Sequence, residues 1–187
     1  MAKKKVVIIS APSGAGKTTM VKHLLSNFPQ LEFSVSACSR PKRPNEIDGV
    51  DYFFLTVEEF KQRIKNNEFI EWQEVYPNRF YGTLKAEVER IWAKNHVVLF
   101  DVDVLGGINL KKIFKDEAVS IFIAPPSIDV LKERLEKRGT ENIESLKQRV
   151  EKAEYEMKFQ SQFDYVVVND NLELAIQEIT SIVLTHI

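Results

Sequence analysis

The stretch that most constrains the fold lies between residues 6 and 19. An apolar run, Val6–Ser10, ends in a loop of small residues that continues into Gly16-Lys17-Thr18-Thr19. Apolar side chains then recur from Val21 to Phe28 at the spacing of one helical face. A buried strand, a loop and an amphipathic helix, in that order, are the context that the phosphate-binding loop motif requires. The stretch therefore predicts a strand, a phosphate loop and a helix start.

The residue types of this loop suit a nucleoside triphosphate. Gly14 and Gly16 let the backbone turn so that successive N–H groups point at phosphate oxygens, and the helix N-terminus adds partial positive charge. Lys17 supplies a full positive charge to the outer phosphates, and Thr18 offers a hydroxyl to a Mg²⁺ ion that accompanies ATP. The predicted ATP-binding residues of the loop are Ala11, Pro12, Ser13, Gly14, Ala15, Gly16, Lys17, Thr18 and Thr19.

The loop departs from the usual pattern G-x-x-x-x-G-K-[ST] at one position. Ala11 stands five residues before Gly16, where the pattern has glycine. Alanine fits there if its φ angle is negative. The alternative is a glycine-rich turn with a fortuitous lysine. The agreement of strand, loop, Lys-Thr-Thr and helix favours phosphate binding.

Composition limits the other partners. The chain has 187 residues with 44% hydrophobic and 28% charged residues, which suits one globular domain with inserted lobes. A net charge of −1 gives no overall field that would hold a nucleic-acid polymer or an anionic membrane. The single cysteine, Cys38, excludes an internal disulfide, and the apolar run after Lys5 is too short for a signal peptide. These features predict a cytoplasmic protein, whereas oligomeric state is not predicted.

Three further apolar runs predict buried strands, each followed by a helical pattern: Val97–Phe100, Val119–Ile123 and Tyr165–Val168. Alternation of this kind predicts a parallel sheet flanked by helices. Ligands of such sheets bind at the carboxyl ends of the strands. The phosphate loop, Asp101 and Asn169 are predicted to lie there.

Asp101 and Asp103 follow an apolar strand in the position of a Walker-B acid. A carboxylate there can orient magnesium-bound water or reach an acceptor nucleotide. The alternative is a polar strand end that caps the next helix. For either residue alone, the two interpretations are nearly equal.

The region after the first helix is predicted to be an inserted lobe of short strands and one helix. Turn signals alternate with aromatic runs, and Thr56 with Glu59 predicts a capping box. Arg40 and Arg43 stand three residues apart and can converge on one anion, which planar guanidinium groups bind bidentately. A solvated basic turn is the commoner outcome for such a sequence alone.

The sequence resembles the guanylate kinase family over nearly its whole length. The matching segments are Phe33-Ser34-Val35-Ser36, Arg40 with Arg43-Pro44, Asp48-Gly49, Asp51-Tyr52 with Phe54, Asn67–Trp72, Tyr81-Gly82-Thr83 and Ile123–Ser127. The resemblance implies that the lobe binds GMP, with Ser36, Glu71 and Thr83 at the guanine edge. It implies that the monophosphate is held by Arg40, Arg43, Tyr52 and Tyr81, and it adds Gly82, Asp101 and Asp103 to the GMP-binding residues. Leu105 stands where the family usually has glutamine, so any contact of that glutamine is absent or replaced.

The chemistry of guanine supports a carboxylate at residue 71. Guanine presents N1–H and N2–H₂ donors side by side, and one carboxylate accepts both. Adenine would place an acceptor at N1 against that carboxylate. Sites built on such paired polar groups discriminate by several orders of magnitude.

The segment after Pro126 predicts two helices that form a lid over the ATP phosphates. In the first, Ser127 is the N-cap, Gly139 the stop, and Leu131 with Leu135 the buried face. Arginines flank the buried stripes of both helices, and the resemblance implies that they reach the transferred phosphoryl group: Arg134, Arg138 and Arg149. The alternative is surface ion pairing with Glu133 or Glu151.

Together these features predict a P-loop nucleoside-monophosphate kinase of α/β fold that makes ADP and GDP from ATP and GMP in purine nucleotide metabolism. The expected parts are a core (1–32, 97–126 and 160–187), a mixed α/β GMP-binding lobe (33–96) and a helical lid (127–159), with lobe and lid closing on binding. The expected catalytic residues are Lys17 and the three arginines. Arg138 and Asn169 are also expected to bind ATP, and Thr18 and Asp101 are expected to hold Mg²⁺. The rivals are a P-loop kinase for another monophosphate and a non-catalytic module that binds phosphorylated peptides.

Overall fold

A computed structural model describes residues 5–137 and 143–187. Backbone packing divides the chain into two compact units. One contains the described residues up to Leu31 and those from Leu99 onward, and the other is Glu32–Val98. Two strands cross the boundaries between these units: β2 (Leu31–Phe33) and β7 (Val97–Val102).

The first unit is built on the strands β1 (Val6–Ser10), β8 (Ala118–Ala124) and β9 (Tyr165–Val168). All five residues of β1 and all seven of β8 are buried, as expected of strands inside a parallel sheet. Its helices are α1 (Lys17–Asn27), α4 (Val104–Phe114), α5 (Ile128–Lys137), α6 (Ile143–Met157) and α7 (Leu172–Leu184).

The sheet of this unit has the strand order β2-β7-β1-β8-β9. β1 pairs parallel with β8, and β8 pairs parallel with β9. The strand predicted at Tyr165–Val168 is confirmed with its bounds. The strand predicted at Val119–Ile123 has one further residue at each end, and the one predicted at Val97–Phe100 has two further residues at its carboxyl end. Asp101 therefore lies within β7 and not after it. Helix α4 packs on β1 and β8, and α7 packs on β9.

The second unit contains a small mixed sheet of order β4-β3-β6-β5. β3 pairs parallel with β4 and antiparallel with β6, which also pairs antiparallel with β5. Its elements are β3 (Ala37–Cys38), β4 (Phe53–Phe54), α2 (Val57–Lys65), β5 (Phe69–Tyr76), β6 (Arg79–Leu84) and α3 (Lys85–Ala93). Of the aromatic run at residues 51–54, only Phe53 and Phe54 join the sheet.

The capping box of α2 is confirmed. Thr56 Oγ1 accepts the Glu59 N–H at 3.1 Å, and the Glu59 carboxylate accepts the Thr56 N–H at 2.7 Å. These two bonds satisfy backbone groups that a helix start otherwise leaves without partners. The apolar face of α2 then packs on a core that contains Phe60, Phe69 and Phe80. Neither this helix nor any other in residues 5–137 and 143–187 is long and apolar enough to cross a bilayer.

An ionic cluster within the second unit is centred on Glu32. Its carboxylate accepts from Arg90, from Lys94 at 2.9 Å and from His96 at 2.9 Å. Partial burial would raise the pKa of Glu32, but the hydrogen bonds from Lys94, Arg90 and His96 outweigh it and lower this pKa from 4.5 to about 2. The charged form of Glu32 is therefore favoured in the folded state.

A carboxyl group whose pKa is lowered by folding stabilises the protein above its unfolded pKa, and the effect is lost as pH falls through the folded pKa. We expect Glu32→Gln to reduce the free energy of unfolding by about 1–2 kcal/mol at pH 7. The difference from the wild type should shrink between pH 4.5 and about 2. Urea denaturation across that range measures it, with the exposed Glu89→Gln in α3 as control. A difference that is the same at pH 3 and pH 7 would exclude this ionic contribution.

Candidate active site

The loop between β1 and α1 has the backbone geometry of a phosphate-binding loop. Gly14 and Gly16 have φ angles of +96° and +101°, in the left-handed region that residues with a Cβ rarely adopt. Ala11 is not among the non-glycine residues with positive φ, so the alanine fits the loop as predicted. Gly16 is the N-cap of α1 and supplies no capping side chain. The Thr19 and Met20 N–H groups donate to the Gly16 carbonyl oxygen, whereas those of Lys17 and Thr18 precede these first bonds of the helix and can bind phosphate oxygens.

Lys17 is held at the carboxyl end of β7. Its Nζ lies 2.5 Å from Asp101 Oδ1 and donates to the Val102 carbonyl oxygen at 2.9 Å. Both side chains are about one-fifth exposed, so the ion pair is partly screened from solvent. These contacts fix the ammonium group beside the loop. The Asp101 carboxylate, predicted to bind magnesium and GMP, meets a cation of the protein in this structure.

Asp103 is the N-cap of α4. Its Oδ1 accepts the Gly106 N–H at 2.7 Å, and its carbonyl oxygen accepts from Ser10 Oγ at 3.1 Å. The helix-capping alternative is therefore confirmed for Asp103. Its contact with GMP stays a prediction.

Asn169 follows β9 and fixes the phosphate loop. The side chain is buried, and its Nδ2 donates to the Ala15 carbonyl oxygen at 2.7 Å. A Cβ on Gly16 would overlap the Asn169 amide. The Asn169 carbonyl oxygen accepts from Arg134 Nη2 at 2.9 Å, so one residue links α5 to the loop. Contact between Asn169 and ATP stays a prediction.

We expect Asn169→Ala to raise the KM for ATP about tenfold and to lower the free energy of unfolding by about 1–3 kcal/mol, because the buried Ala15 carbonyl oxygen loses its partner. Steady-state kinetics with varied ATP and thermal unfolding measure these effects. The neighbouring exposed residue provides a control, Asp170→Asn. A variant with lower stability and an unchanged KM for ATP would show that the bond serves folding alone.

Helices α5 and α6 make up the segment that the sequence predicts to be a lid. Leu131, Leu135 and Ala153 are buried together, and a Cβ on Gly14 would approach Leu135 to 3.0 Å, so the loop lies against α5. On α6, Arg149 Nη1 donates to Ser13 Oγ at 3.3 Å. These contacts bring the lid to the phosphate loop.

The two acids named as alternative partners of these arginines lie near lysines of their own helices. Glu133 lies 4.0 Å from Lys137 and Glu151 lies 3.9 Å from Lys147, while Arg134 and Arg149 make the contacts given above. Arg138, Gly139 and Thr140 lie outside the described residues.

A cavity of about 310 Å³ adjoins the phosphate loop. Two of the residues that line it were not predicted from the sequence, Lys152 and Glu156. Lys152 Nζ lies 3.6 Å from Glu156 Oε1. Burial raises the pKa of Glu156, with the Lys152 charge opposing that shift. The missed signal was spacing, since Arg149, Lys152 and Glu156 recur at three and four residues on α6. The lining residues are Ala11, Pro12, Ser13, Gly14, Gly16, Lys17, Thr18, Thr19, Asp103, Arg149, Lys152 and Glu156.

In the second unit, the pairing of β5 with β6 places Glu71 opposite Thr83. Thr83 Oγ1 donates to Glu71 Oε1 at 2.8 Å, and the threonine is fully buried. Gly82 lies beside this pair, opposite Trp72 and Ala37. The bond fixes the Glu71 carboxylate through one oxygen.

Arg40 is brought to the aromatic residues predicted to act with it. Its guanidinium carbon lies 5.0 Å from the Tyr52 ring centroid, and the rings of Tyr52 and Tyr81 meet edge to face at 6.0 Å. Unlike the buried side chain of Arg40, the side chain of Arg43 is exposed. Ser36 is half-buried, and its carbonyl oxygen accepts the Phe53 N–H at 2.9 Å.

Sequence reasoning missed Glu46, which binds Arg40. Glu46 Oε1 and Oε2 accept from Arg40 Nη2 and Nη1 at 2.5 and 2.6 Å, and Oε2 also accepts the Arg43 N–H at 2.8 Å. The hydrogen bonds from Arg40 lower the pKa of Glu46 to about 2. A lone glutamate in a turn gives no sequence signal for such a contact.

Comparison with known proteins agrees with this geometry. The family model described as guanylate kinase matches residues 3–186. The chain belongs to the guanylate kinase family. Guanylate kinase from Bacteroides fragilis is 56% identical over 171 residues, which cover 91% of this chain and 84% of that protein. Guanylate kinase from Bacteroides thetaiotaomicron is 53% identical, over 96% of this chain and 88% of that protein.

A solved guanylate kinase structure shares the fold. The crystal structure of guanylate kinase from Anaplasma phagocytophilum matches with a TM-score of 0.75 and 29% identity. The match covers 99% of this chain and 87% of that one. The predicted family and fold class, a P-loop nucleoside-monophosphate kinase with a parallel sheet core flanked by helices, are confirmed.

Proposed function

We propose that this protein transfers the γ-phosphoryl group of ATP to GMP, giving ADP and GDP. The observation that carries the proposal is the Glu71–Thr83 pair, in a guanylate kinase chain that also keeps Gly16-Lys17-Thr18. An ATP loop alone would fit a kinase for many acceptors. A carboxylate oriented by Thr83 favours guanine, because it can accept the two neighbouring donors of that base.

The acceptor base is held by complementary hydrogen bonds. Thr83 donates to Glu71 Oε1 and so orients the carboxylate, and a carboxylate can accept the guanine N1–H and N2–H₂ donors together. Adenine would oppose an N1 lone pair to the same carboxylate and leave it without a donor. Discrimination then arises because the wrong base leaves a charged group unpaired. Ser36, Tyr52, Tyr81 and the two arginines of the lobe complete the proposed site.

The donor site neutralises charge and needs no covalent nucleophile. The GMP phosphate oxygen attacks the γ-phosphorus in line, and negative charge spreads over the equatorial oxygens. Lys17 and the lid arginines Arg134, Arg138 and Arg149 are proposed to stabilise that charge. In this structure Lys17 bonds Asp101 and Val102, so its ammonium group is held beside the loop before the phosphates arrive.

The oxygen donors at the loop suit magnesium bound together with ATP. Mg²⁺ takes few protein ligands beside substrate phosphates and waters, so a hydroxyl and a carboxylate are enough. Thr18 in the first turn of α1 and Asp101 on β7 would provide them. No group of three or more His, Cys, Asp or Glu forms a metal site within residues 5–137 and 143–187. A magnesium ion held by these residues would offset the negative charge of the phosphates.

A coupled assay of ADP release tests the proposal. ATP with GMP should give the highest kcat/KM, at least about 10²-fold above ATP with AMP, UMP or dTMP. Comparable rates with another monophosphate would point instead to a kinase for that acceptor. Calorimetric titration with MgATP separates the remaining rival, since a phosphopeptide-binding module needs no nucleotide site. Absence of ATP binding would overturn the enzyme assignment.

A further inference from the structure

The segment between β3 and β4 contains an ion pair, Arg40 with Glu46, to which the proposed reaction assigns no role. Arg40 is expected to bind the acceptor phosphate, yet its guanidinium group already binds a carboxylate of the protein, Glu46, through two parallel bonds of 2.5 and 2.6 Å. Bidentate pairing of this kind is the strongest geometry open to arginine. Glu46 therefore either competes with the phosphate or orients Arg40 for it.

The donor count of Arg40 separates these possibilities. A guanidinium group has five N–H donors. Nη1 donates to Glu46 and to the Pro41 carbonyl oxygen at 3.1 Å, and Nη2 donates once to Glu46. The Nε–H and the second N–H of Nη2 lie together on one edge of the group. Among the hydrogen bonds of Arg40 to described residues, none comes from that edge. The spacing of its two N–H groups suits a bidentate contact with a phosphate.

Glu46 is itself fixed, so displacement by a phosphate would break several bonds at once. Its Oε2 also accepts the Arg43 N–H at 2.8 Å, and its own N–H donates to the Arg43 carbonyl oxygen at 3.1 Å. The pKa of Glu46 is lowered to about 2, so the carboxylate is charged at neutral pH.

The guanidinium group of Arg40 also lies over two aromatic rings. Its central carbon lies 5.0 Å from the Tyr52 centroid and 5.4 Å from the Phe54 centroid, and Arg40 is only 9% exposed. A buried cation without a partner carries a large desolvation cost, which Glu46 removes in the absence of nucleotide. These contacts favour the interpretation that Glu46 orients Arg40 over the one in which Glu46 competes with the phosphate.

We propose that Glu46 is a positioning residue for the acceptor phosphate: it holds Arg40 through the Nη1–Nη2 edge so that the Nε–Nη2 edge receives the phosphate of GMP. This inference rests on the proposed function, because it assumes that Arg40 meets the monophosphate. It extends that function by a residue that acts through Arg40 and not on the nucleotide.

The test compares GMP with guanosine, because only GMP has the phosphate. Calorimetric titrations use the wild type, Glu46→Gln, Arg40→Ala, the double variant and a control in which the exposed Glu58 of α2 is changed, Glu58→Gln. Glu46→Gln should weaken GMP binding about 10- to 100-fold and guanosine binding less than about twofold. The KM for ATP and the binding of both ligands by Glu58→Gln should stay at wild-type values. In the Arg40→Ala background, the Glu46 change should add less than about twofold.

Each other outcome identifies what is wrong. Equal weakening of GMP and guanosine by Glu46→Gln would show that Glu46 serves only the folding of the lobe. Tighter GMP binding by Glu46→Gln would show that Glu46 competes with the phosphate. A full effect of Glu46→Gln without Arg40 would show that it does not act through that residue. Each of these overturns the inference alone, whereas a wild type that binds GMP no better than guanosine overturns the proposed function with it.

Discussion

Lys17→Ala is expected to lower kcat for GMP-dependent ADP formation by at least about 10³-fold, because charge on the transferred phosphoryl group loses its fixed ammonium partner. No other described lysine of α1 can take its place. Lys22 is exposed, whereas Lys17 Nζ is held 2.5 Å from Asp101 and 2.9 Å from the Val102 carbonyl oxygen. GMP binding should stay nearly intact, because the residues proposed to bind GMP through its base and phosphate lie in the lobe.

The coupled assay gives kcat, and calorimetry gives the affinity for GMP. Lys22→Ala, which removes an exposed ammonium from the same helix, is the matched control and should keep wild-type kinetics. Thermal unfolding of Lys17→Ala checks that the loss is not one of folding, since Asp101 loses its cation in this variant. A Lys17→Ala protein with more than a tenth of wild-type kcat would contradict the role given to this lysine.

Glu71→Gln is expected to lower kcat/KM for GMP by about 10²- to 10³-fold. The glutamine can still accept from Thr83, so the local fold of β5 and β6 should survive. The NH₂ group of the glutamine, however, is a hydrogen-bond donor and would lie opposite the N–H donors of guanine. Adenine offers an acceptor at N1, so the ratio of GMP to AMP activity should fall by more than the loss with GMP alone.

The measurement is steady-state kinetics with varied GMP, varied AMP and varied ATP. The KM for ATP should change by less than about twofold, because Glu71 has no proposed contact with ATP. Glu58→Gln is again the control for removal of a carboxylate from the lobe. Equal losses for GMP and ATP would mean that Glu71 does not read the acceptor base.

The local parts of the fold were predictable because short-range chemistry decides them. The apolar run Val6–Ser10, the glycines of the loop and the capping box at Thr56 each specify a backbone conformation within a few residues, and all three appear as predicted. Strand length was predicted less well. β7 continues through Asp101 and Val102, because pairing with neighbouring strands decides where a polar residue can remain in a sheet.

Several partners of the predicted site residues could not be read from the chain. Asn169 donates to Ala15 across 154 positions, and Lys17 meets Asp101 across 84 positions of sequence. Such pairs depend on the order of strands in the sheet, which places the ends of β1, β7 and β9 together. The spacing of Glu156 from Arg149 and Lys152 was visible in the sequence, but its burial was not, because the packing of α6 decides it.

The sequence by itself determined the family, the phosphate loop and the residue types that a guanine nucleotide requires, because motifs with fixed spacing encode local backbone geometry and hydrogen-bonding capacity. Only the tertiary structure decided which group most of the charged site residues meet. Arg40 is paired with Glu46, Arg134 with the Asn169 carbonyl oxygen and Lys17 with Asp101. Those pairings depend on distance and desolvation in three dimensions, which a linear pattern does not contain.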